Sequence, residues 1–458
     1  MDKGPKLIIK FGRFGPIKKV EEPFEIKPLT IFFGRNNTGK SYLAYAIWAI
    51  FEEPFLLHYE ASLVDIEIDN LDEVIEAIKK TYINKEKTKI KTNLIFKVNS
   101  KKLVEYLNLK IENVDDIYVY INDIELELVP GVPGSLKGVP HHIPESYDYY
   151  KIKKDRKVEL KVDYELFDYI INKGDSYPLK DIFLFMSNEV LDIIVSYYFP
   201  ASRSGLFLLR KYFLEKLITK ELLPMEKRRE RKDIPAPIIK FFTLLPEVDP
   251  QYEETPNQEY KEVWEFLEKE ALRGEIVFNK KISETYFEPY GSRSRVPINL
   301  CSSSVVELSP LLLFIKYGKL VKNPLLIIEE PEIHLHPDAQ YALSRAIIRL
   351  INKGVKVLLI THSPEILQEL NNAIMCNYLF NKNKEKAKEF MEKYDWEELD
   401  LLDPEKTVAY IFDEESDGVV VRKTNIDKKY GIENKLFDKI LKNKTIETSD
   451  LLELLDDE

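Results

Sequence analysis

Residues 34–41 read GRNNTGKS, a complete GxxxxGK(S/T) phosphate-binding loop. The loop follows an apolar, β-prone run at 29–33 and precedes a helical stretch at 42–51, which is the strand–loop–helix context that the motif requires. Gly34 and Gly39 allow successive backbone N–H groups to point inward and surround an anion. The sequence therefore predicts that the chain binds a nucleoside triphosphate.

The side chains of this loop have separate expected tasks. We expect Lys40 to contact the β- and γ-phosphates and the Ser41 hydroxyl to bind Mg²⁺. The residues expected to contact the nucleotide are Gly34, Asn36, Asn37, Thr38, Gly39, Lys40, Ser41 and Tyr42.

The acidic partners of the loop are predicted at 325–337, which read LLIIEEPEIHLHP. Four apolar residues form a buried strand, and Glu329 and Glu330 follow at its carboxyl end, the edge where open α/β sheets bind ligands. We expect Glu329 to hold Mg²⁺ through water and Glu330 to polarise the water that attacks the γ-phosphate. His362 follows the next predicted strand, so it is expected to contact the γ-phosphate or the attacking water as a hydrogen-bonding sensor.

The pattern around these residues predicts an α/β fold. Apolar periodicity indicates helices at 305–321 and 337–353, and buried strands at 324–328 and 355–360. This alternation is typical of a βαβ unit in a parallel sheet.

The remaining segments are more mixed in pattern. The segment after 378 is rich in Lys and Glu and contains strand-like pieces at 408–412 and 418–422. The predicted organisation has five segments, which are an ATPase lobe I with the phosphate loop at 1–60, an α+β insertion at 61–199, a helical lobe at 200–299, an ATPase lobe II at 300–380 and a C-terminal α/β extension at 381–458.

Composition limits the setting of the protein. The 458-residue chain is 44% hydrophobic and 32% charged, as expected of a globular protein with a substantial core. No apolar run reaches the roughly 18–20 residues of a membrane span, and the first residues lack the features of a signal peptide. Cys301 and Cys376 provide no disulfide framework. We therefore expect a cytoplasmic protein with no membrane partner.

A local basic run contrasts with the net charge of −11. Between Lys79 and Lys102 there are nine lysines and one acidic residue, Glu86. Such a patch can bind the phosphate backbone of duplex DNA, and it can equally be a solvated face of the protein. The sequence leaves both interpretations open.

The motifs GRNNTGKS, IIEEPEIHLHP and THS, in this order, resemble the ATPase heads of the ABC class. With the N-terminal FGPIKKVEEPFEIKPLTIFF and the PASRSG segment at 200–205, they resemble the AAA-labelled ATPases related to the overcoming-lysogenisation-defect (OLD) proteins and to structural-maintenance-of-chromosomes heads. The resemblance covers about 1–60 and 200–380. It implies a P-loop NTPase with a mixed parallel sheet, an α+β insertion, a helical lobe, and ATP and Mg²⁺ as ligands.

The resemblance also implies a dimer, or a higher oligomer, in which a signature segment of one subunit closes over ATP bound to the other. The matching segment is CSSSVVEL at 301–308, where Ser302 and Ser303 are expected to contact the partner's γ-phosphate. Ser304 stands where the family usually has glycine, and the serine cluster is also compatible with an ordinary helix N-cap. Arg203 is expected either to contact nucleotide or partner, or to form a surface ion pair.

Three functions remain compatible with these motifs. The first is an ATPase that drives a nucleic-acid-linked or antiphage defence assembly, with an effector nuclease or toxin on another chain. The second is a DNA-repair or chromosome-maintenance ATPase that uses the lysine run. The third is a nucleotide-gated, protein-binding scaffold with little turnover. An acidic turn at 413–417 is expected to be a solvated hairpin rather than a nuclease metal site.

Overall fold

The structure is a computed structural model. It describes residues 6–52, 64–130, 150–152, 158–162, 164–173, 195–210, 212, 234–245, 255–318, 320, 324–433 and 446. Among these residues, none of the helices combines the length and the apolar composition that crossing a lipid bilayer requires.

The strands are numbered here in chain order. They are β1 Lys6–Lys10, β2 Ile17–Val20, β3 Phe24–Glu25, β4 Leu29–Gly34, β5 Val64–Ile68, β6 Thr88–Val98, β7 Ile117–Pro130, β8 Tyr150–Ile152, β9 Val158–Val162, β10 Ser196–Phe199, β11 Gly274–Asn279, β12 Glu284–Pro289, β13 Val296–Pro297, β14 Leu325–Glu329, β15 Lys356–Thr361, β16 Thr407–Glu415, β17 Gly418–Thr424, β18 Ile426–Asp427 and β19 Gly431–Ile432.

The α-helices are numbered in the same way. They are α1 Lys40–Glu52, α2 Leu71–Asn84, α3 Ser100–Tyr106, α4 Tyr164–Phe167, α5 Arg203–Leu208, α6 Ala236–Thr243, α7 Lys261–Phe266, α8 Ser303–Tyr317, α9 Pro337–Asn352, α10 Pro364–Lys382 and α11 Lys384–Tyr394. Wider π-helical turns continue α4 through Asp168–Asn172 and α7 through Leu267–Leu272.

The fold divides into two compact units that alternate along the sequence. The first takes its residues from Met1–Ile26, Tyr45–Tyr197 and Val321–Leu325, and the second from Lys27–Ala44, Tyr198–Leu320 and Leu326–Glu458. The five predicted segments are contiguous in sequence, whereas these units are not, so the functional segmentation stays a prediction.

The first unit contains a sheet with the strand order β3-β1-β7-β6-β5, to which β9 adds in parallel with β7. In β6 the residues Thr92, Leu94, Phe96 and Val98 are buried, and the residues between them are more exposed. This alternation is that of a strand with one face on a core. Strands β5 to β9 fall within the predicted α+β insertion at 61–199, whose bounds stay a prediction, and residues 131–149 lie outside the described part of the chain.

The second unit contains the sheet that carries the sequence motifs, with the order β10-β14-β15-β4-β16-β17. Strand β4 is buried at every residue and pairs in parallel with β15 on one side and β16 on the other. Continuous apolar strands are expected in a parallel sheet that is covered on both faces. Because β17 runs antiparallel to β16, the sheet is mixed, as predicted.

The C-terminal segment contributes the strand β16 to the same sheet as the phosphate loop, which the sequence pattern does not predict. It pairs with the phosphate-loop strand β4, with Phe412 opposite Gly34. The segment predicted as an extension therefore supplies a strand of the central sheet. Pairing between segments so far apart in sequence follows from tertiary packing and leaves no local signal.

The helix α8 of the second unit is buried over most of its length. All its residues from Val305 to Tyr317 are buried, including Glu307 and Lys316. Lys316 is neutralised by Glu268, with 2.6 Å between Nζ and Oε1. A helix that is apolar on all sides belongs in a core, and the two buried charges require partners there.

Candidate active site

The phosphate loop connects β4 to α1 through an unusual backbone. Gly34 has φ +142°, Asn37 φ +61° and Gly39 φ +87°. The Thr38 hydroxyl donates a 2.8 Å hydrogen bond to the carbonyl of Arg35, which closes the loop on itself. Glycine is required at residue 34 for a second reason, since a Cβ there would lie 2.4 Å from the carbonyl oxygen of Phe412.

Lys40 lies at the centre of this loop. Its side chain is buried, and Nζ donates hydrogen bonds to Arg35 O at 2.5 Å and to Thr38 Oγ1 at 3.1 Å. Burial lowers the pKa of Lys40 to about 8, against the opposing effect of Glu330 and nearby acids. The expected phosphate-binding cation is therefore enclosed by the loop and faces the acidic end of β14.

Glu329 ends β14 and is only 3% exposed. Burial raises the pKa of this carboxyl, while the side chains of Ser41 and Tyr198 lower it. Its Oε2 accepts a long hydrogen bond from Ala201 N (3.4 Å), and no donor among the described residues meets hydrogen-bond geometry at the buried Oε1. A buried carboxylate close to a serine hydroxyl offers the oxygen ligands that Mg²⁺ prefers.

Glu330 and His362 lie side by side at the ends of β14 and β15. His362 Nε2 is 3.5 Å from Glu330 Oε1, and both side chains are partly exposed. The hydrogen bond with His362 is the largest effect on the pKa of Glu330, which lies below its usual range. Glu330 has φ +40°, rare for a residue with a side chain, and its N–H donates to Ile360 O at 2.7 Å. Such strained residues concentrate at functional sites.

Glu332 belongs to the same site but is missing from the residues predicted from the sequence. Its Oε1 accepts two hydrogen bonds, from Thr361 Oγ1 at 2.9 Å and from His362 N at 2.6 Å. Burial raises the pKa of this carboxyl. Its position two residues after Glu330 indicates that it lies near the site. Its contact with the turn after β15 depends on tertiary structure and has no local signal in the sequence.

Arg203 is buried, with 1% exposure, so the expected surface ion pair is wrong. Its guanidinium binds the carboxylate of Glu307 at 2.8 Å and donates to Glu329 O at 2.7 Å. Burial lowers the pKa of Arg203, and Glu307 opposes this effect. The charge is internal because α8 supplies its counter-ion.

Ser302 and Ser303, the predicted signature residues, are exposed at the start of α8. Ser302 occupies the N-cap position, but its side chain makes no capping hydrogen bond there. Ser304 donates a 2.6 Å hydrogen bond to the carbonyl of His334, in the turn that follows Glu330. Ser304 therefore fastens α8 to the loop after β14.

The loop residues predicted to contact the nucleotide differ in solvent exposure. Gly34, Thr38 and Gly39 are buried, Asn36 and Asn37 are exposed, and Ser41 and Tyr42 are half-buried in the first turn of α1. Exposed and buried members of the set thus surround Lys40. Contact with a nucleotide stays a prediction for each of them.

The lysine run between Lys79 and Lys102 lies in the first unit. On β6, Lys89 is opposite Glu127 and Lys91 is opposite Glu125 on β7. Ion pairs also join Lys79 to Glu76 and Lys97 to Asp116, with 2.6 and 3.3 Å between their charged atoms. The run that is basic in sequence is thus interleaved with acids in space.

The acidic turn at 413–417 lies in the β16–β17 hairpin, as predicted. Arg422 forms ion pairs with Asp413 and Glu415 across the hairpin. Within the part of the chain that the structure describes, no group of three or more His, Cys, Asp or Glu residues is arranged to hold a metal ion.

Comparison with known proteins gives a family and a set of distant structural relatives. The model of the AAA ATPase domain family, AAA_15, matches residues 13–367. No curated protein matches the chain. Solved structures similar to it include an SMC head bound to the C-winged helix domain of ScpA (11% identity, 93% of this chain and 98% of that chain, TM-score 0.37).

Two further structures have the same level of similarity. One is the SMC head domain from Thermotoga maritima (11% identity, 92% of this chain, 100% of that chain, TM-score 0.32). The other is the Smc head domain with an extended coiled coil bound to the C-terminal domain of ScpA derived from Pyrococcus furiosus (13% identity, 96% and 99%, TM-score 0.34). Similarity at this level carries no argument about function.

Proposed function

Because this chain belongs to the AAA_15 family of AAA ATPase domains, we propose that it binds ATP at the phosphate loop and hydrolyses it to ADP and phosphate. The observation that carries the proposal is the arrangement of one buried cation and a carboxylate–imidazole pair. Lys40 is enclosed by the loop, and Glu330 lies 3.5 Å from His362 at the adjoining strand ends.

Binding rests on the loop and on Lys40. The N–H groups at the start of α1 and the Lys40 ammonium both favour the anionic phosphates. Because Lys40 Nζ donates to three loop oxygens, Gly34 O, Arg35 O and Thr38 Oγ1, its charge is already oriented before phosphate binds. Pre-orientation reduces the entropy that binding must overcome.

Hydrolysis rests on Glu330. A water oxygen attacks the γ-phosphorus, the bond to the β–γ bridging oxygen breaks, and ADP leaves with that electron pair. Glu330 accepts the proton of the attacking water. His362 holds the carboxylate from 3.5 Å, and we expect it to contact the γ-phosphate.

Ser41 and Glu329 would hold Mg²⁺, since the hydroxyl and the buried carboxylate face each other. When bound, Mg²⁺ supplies positive charge that offsets the negative charge developing on the phosphate oxygens.

We further propose that ATP joins two copies of the chain, with Ser302 and Ser303 of one copy over the γ-phosphate of the other. The exposure of both serines and the resemblance of the motifs to OLD-like ATPases support this part. The dimer would drive a nucleic-acid-linked or antiphage defence assembly in the cytoplasm whose nuclease or toxin is a separate chain. The pairing of Asp413 and Glu415 with Arg422 agrees with an effector located elsewhere.

The DNA-repair alternative would use the lysine run on β6. The acids opposite Lys89 and Lys91 reduce the positive potential of this face, so the defence ATPase is preferred. The scaffold alternative binds a protein partner and has little turnover, so a hydrolysis assay separates it from the ATPase.

The test of the proposal is ATP binding by calorimetry and phosphate release, each with Mg²⁺ present. Wild type should bind and hydrolyse ATP, and Lys40→Ala should do neither, because the variant lacks the phosphate-contacting cation. Lys388→Ala removes an exposed lysine of α11 and should behave as wild type. Binding by Lys40→Ala with wild-type affinity would contradict the proposed site.

A further inference from the structure

Among the described residues, Glu332 accepts hydrogen bonds from other residues through only one of its two carboxyl oxygens. Oε1 accepts hydrogen bonds from Thr361 Oγ1 and His362 N, at 2.9 and 2.6 Å. The other oxygen, Oε2, is buried and has no hydrogen-bond partner among the described residues. Both hydrogen bonds that this carboxyl receives from other residues are therefore directed at the turn that carries the His362 ring.

The turn at 361–363 has a second constraint that depends on Thr361. The Thr361 hydroxyl accepts a 3.0 Å hydrogen bond from Ser363 N while it donates to Glu332. Ser363 in turn caps α10 by accepting from Ile366 N at 3.1 Å. Glu332 thus links the turn after β14 to the turn after β15 at the point where His362 must face Glu330.

We propose that Glu332 is the positioning residue of His362 in the ATPase reaction. By fixing the His362 backbone N–H and the Thr361 hydroxyl, it keeps the imidazole within hydrogen-bonding distance of Glu330. Loss of the acceptor lets the turn relax and lengthens the Glu330–His362 contact. The inference rests on the proposed function, since it assigns Glu332 a role in the same site.

Two variants of Glu332 distinguish the loss of the hydrogen-bond acceptor from the loss of the negative charge. Glu332→Gln retains an oxygen acceptor of the same size, whereas Glu332→Leu removes it at similar volume. We expect Glu332→Gln to hydrolyse ATP within about threefold of wild type, and Glu332→Leu to lose about 10- to 100-fold in kcat, as for other orienting partners of a functional histidine. KM for ATP should change less than about twofold, because Lys40 and the loop are intact.

The decisive experiment is a double-mutant cycle with His362→Ala. If Glu332 acts through His362, Glu332→Leu should reduce kcat only slightly in the His362→Ala background. Equal losses in both backgrounds would overturn the inference, because they would indicate a general structural role. The thermal unfolding midpoint of each variant shows whether it folds. Thr361→Val, which removes the hydroxyl that donates to Glu332, is measured in the same way for comparison.

The outcomes also separate this inference from the proposed function. If wild type does not hydrolyse ATP, or if Lys40→Ala hydrolyses it equally well, the proposed function and the inference are both overturned. Lys40-dependent hydrolysis that is unchanged in Glu332→Leu would overturn the inference alone.

Discussion

Arg203 and Glu307 form an ion pair of 2.8 Å in which the two side chains are 1% and 0% exposed. The Glu307 carboxylate also accepts hydrogen bonds from Arg203 N at 3.1 Å and Ser204 N at 2.9 Å, at the start of α5. Arg203 donates onward to the carbonyl of Glu329 at 2.7 Å. One buried charge pair therefore fastens the signature helix α8 to the end of β14.

Removing one partner of this pair should be strongly destabilising. Glu307→Ala leaves the guanidinium buried without a counter-ion, and we expect a loss of about 3–5 kcal/mol in the free energy of unfolding. Urea unfolding measures it. The control is Glu415→Ala, whose pair with Arg422 is partly exposed and should contribute no more than about 1 kcal/mol. Comparable losses in the two variants would contradict the account.

Gly34→Ala should abolish nucleotide binding. The added Cβ would lie 2.4 Å from Phe412 O, and φ +142° is a conformation that residues with side chains rarely adopt. Gly205→Ala is the matched control, since nothing lies within 4 Å of its Cβ and the residue is in helix α5. The control should gain up to about 1 kcal/mol in stability. Calorimetry with ATP distinguishes them, and wild-type affinity of Gly34→Ala would refute the packing argument.

Asp400 should make stability depend on acid pH. Burial alone would raise its pKa, but hydrogen bonds from Arg349 and Arg345 outweigh burial and lower it. A carboxyl with a lowered folded-state pKa contributes stability above its unfolded pKa, which is lost as pH falls through the folded value. The difference in unfolding free energy between wild type and Asp400→Asn should therefore be largest near neutral pH and shrink below about pH 4.

Urea unfolding at several pH values checks this expectation. Glu392→Gln, which alters an exposed carboxyl on α11, should show no such trend. A difference for Asp400→Asn that stays constant from neutral to acid pH would show that the arginines do not stabilise the ionised form.

Ser304→Gly introduces the glycine that the resemblance to OLD-like ATPases predicts at this position, yet we expect it to lower both stability and ATP turnover. It removes the 2.6 Å hydrogen bond to His334 O that ties α8 to the turn after Glu330. Loss of that bond and of helix propensity should cost about 1–2 kcal/mol. Ser304→Ala isolates the hydroxyl in the same unfolding and phosphate-release assays. Faster turnover in Ser304→Gly would mean that the hydroxyl obstructs the site.

The part of the site that local patterns encode could be predicted from the sequence. The glycine spacing around Lys40 and the apolar run before Glu329 and Glu330 are local signals, and the structure brings their side chains together with His362. Helices and strands with strong periodicity, such as α9 and β14, were predicted to within one or two residues.

The remainder depends on contacts between distant segments. Burial of Arg203 requires Glu307 on another helix, and the role of Glu332 requires Thr361 on another strand. The pairing of β16 with β4 joins segments from opposite ends of the chain. A single sequence carries no local pattern for these contacts, since each is decided by tertiary packing.

The most direct test of the account is phosphate release by Glu330→Gln at saturating ATP and Mg²⁺, with ATP affinity measured on the same protein. We expect affinity close to that of wild type and a loss of about 10²- to 10⁴-fold in kcat, because the variant lacks the base that accepts the proton of water. Glu259→Gln, an exposed control, should be unaffected. Hydrolysis by Glu330→Gln at the wild-type rate would contradict the assignment of this carboxylate as the catalytic base.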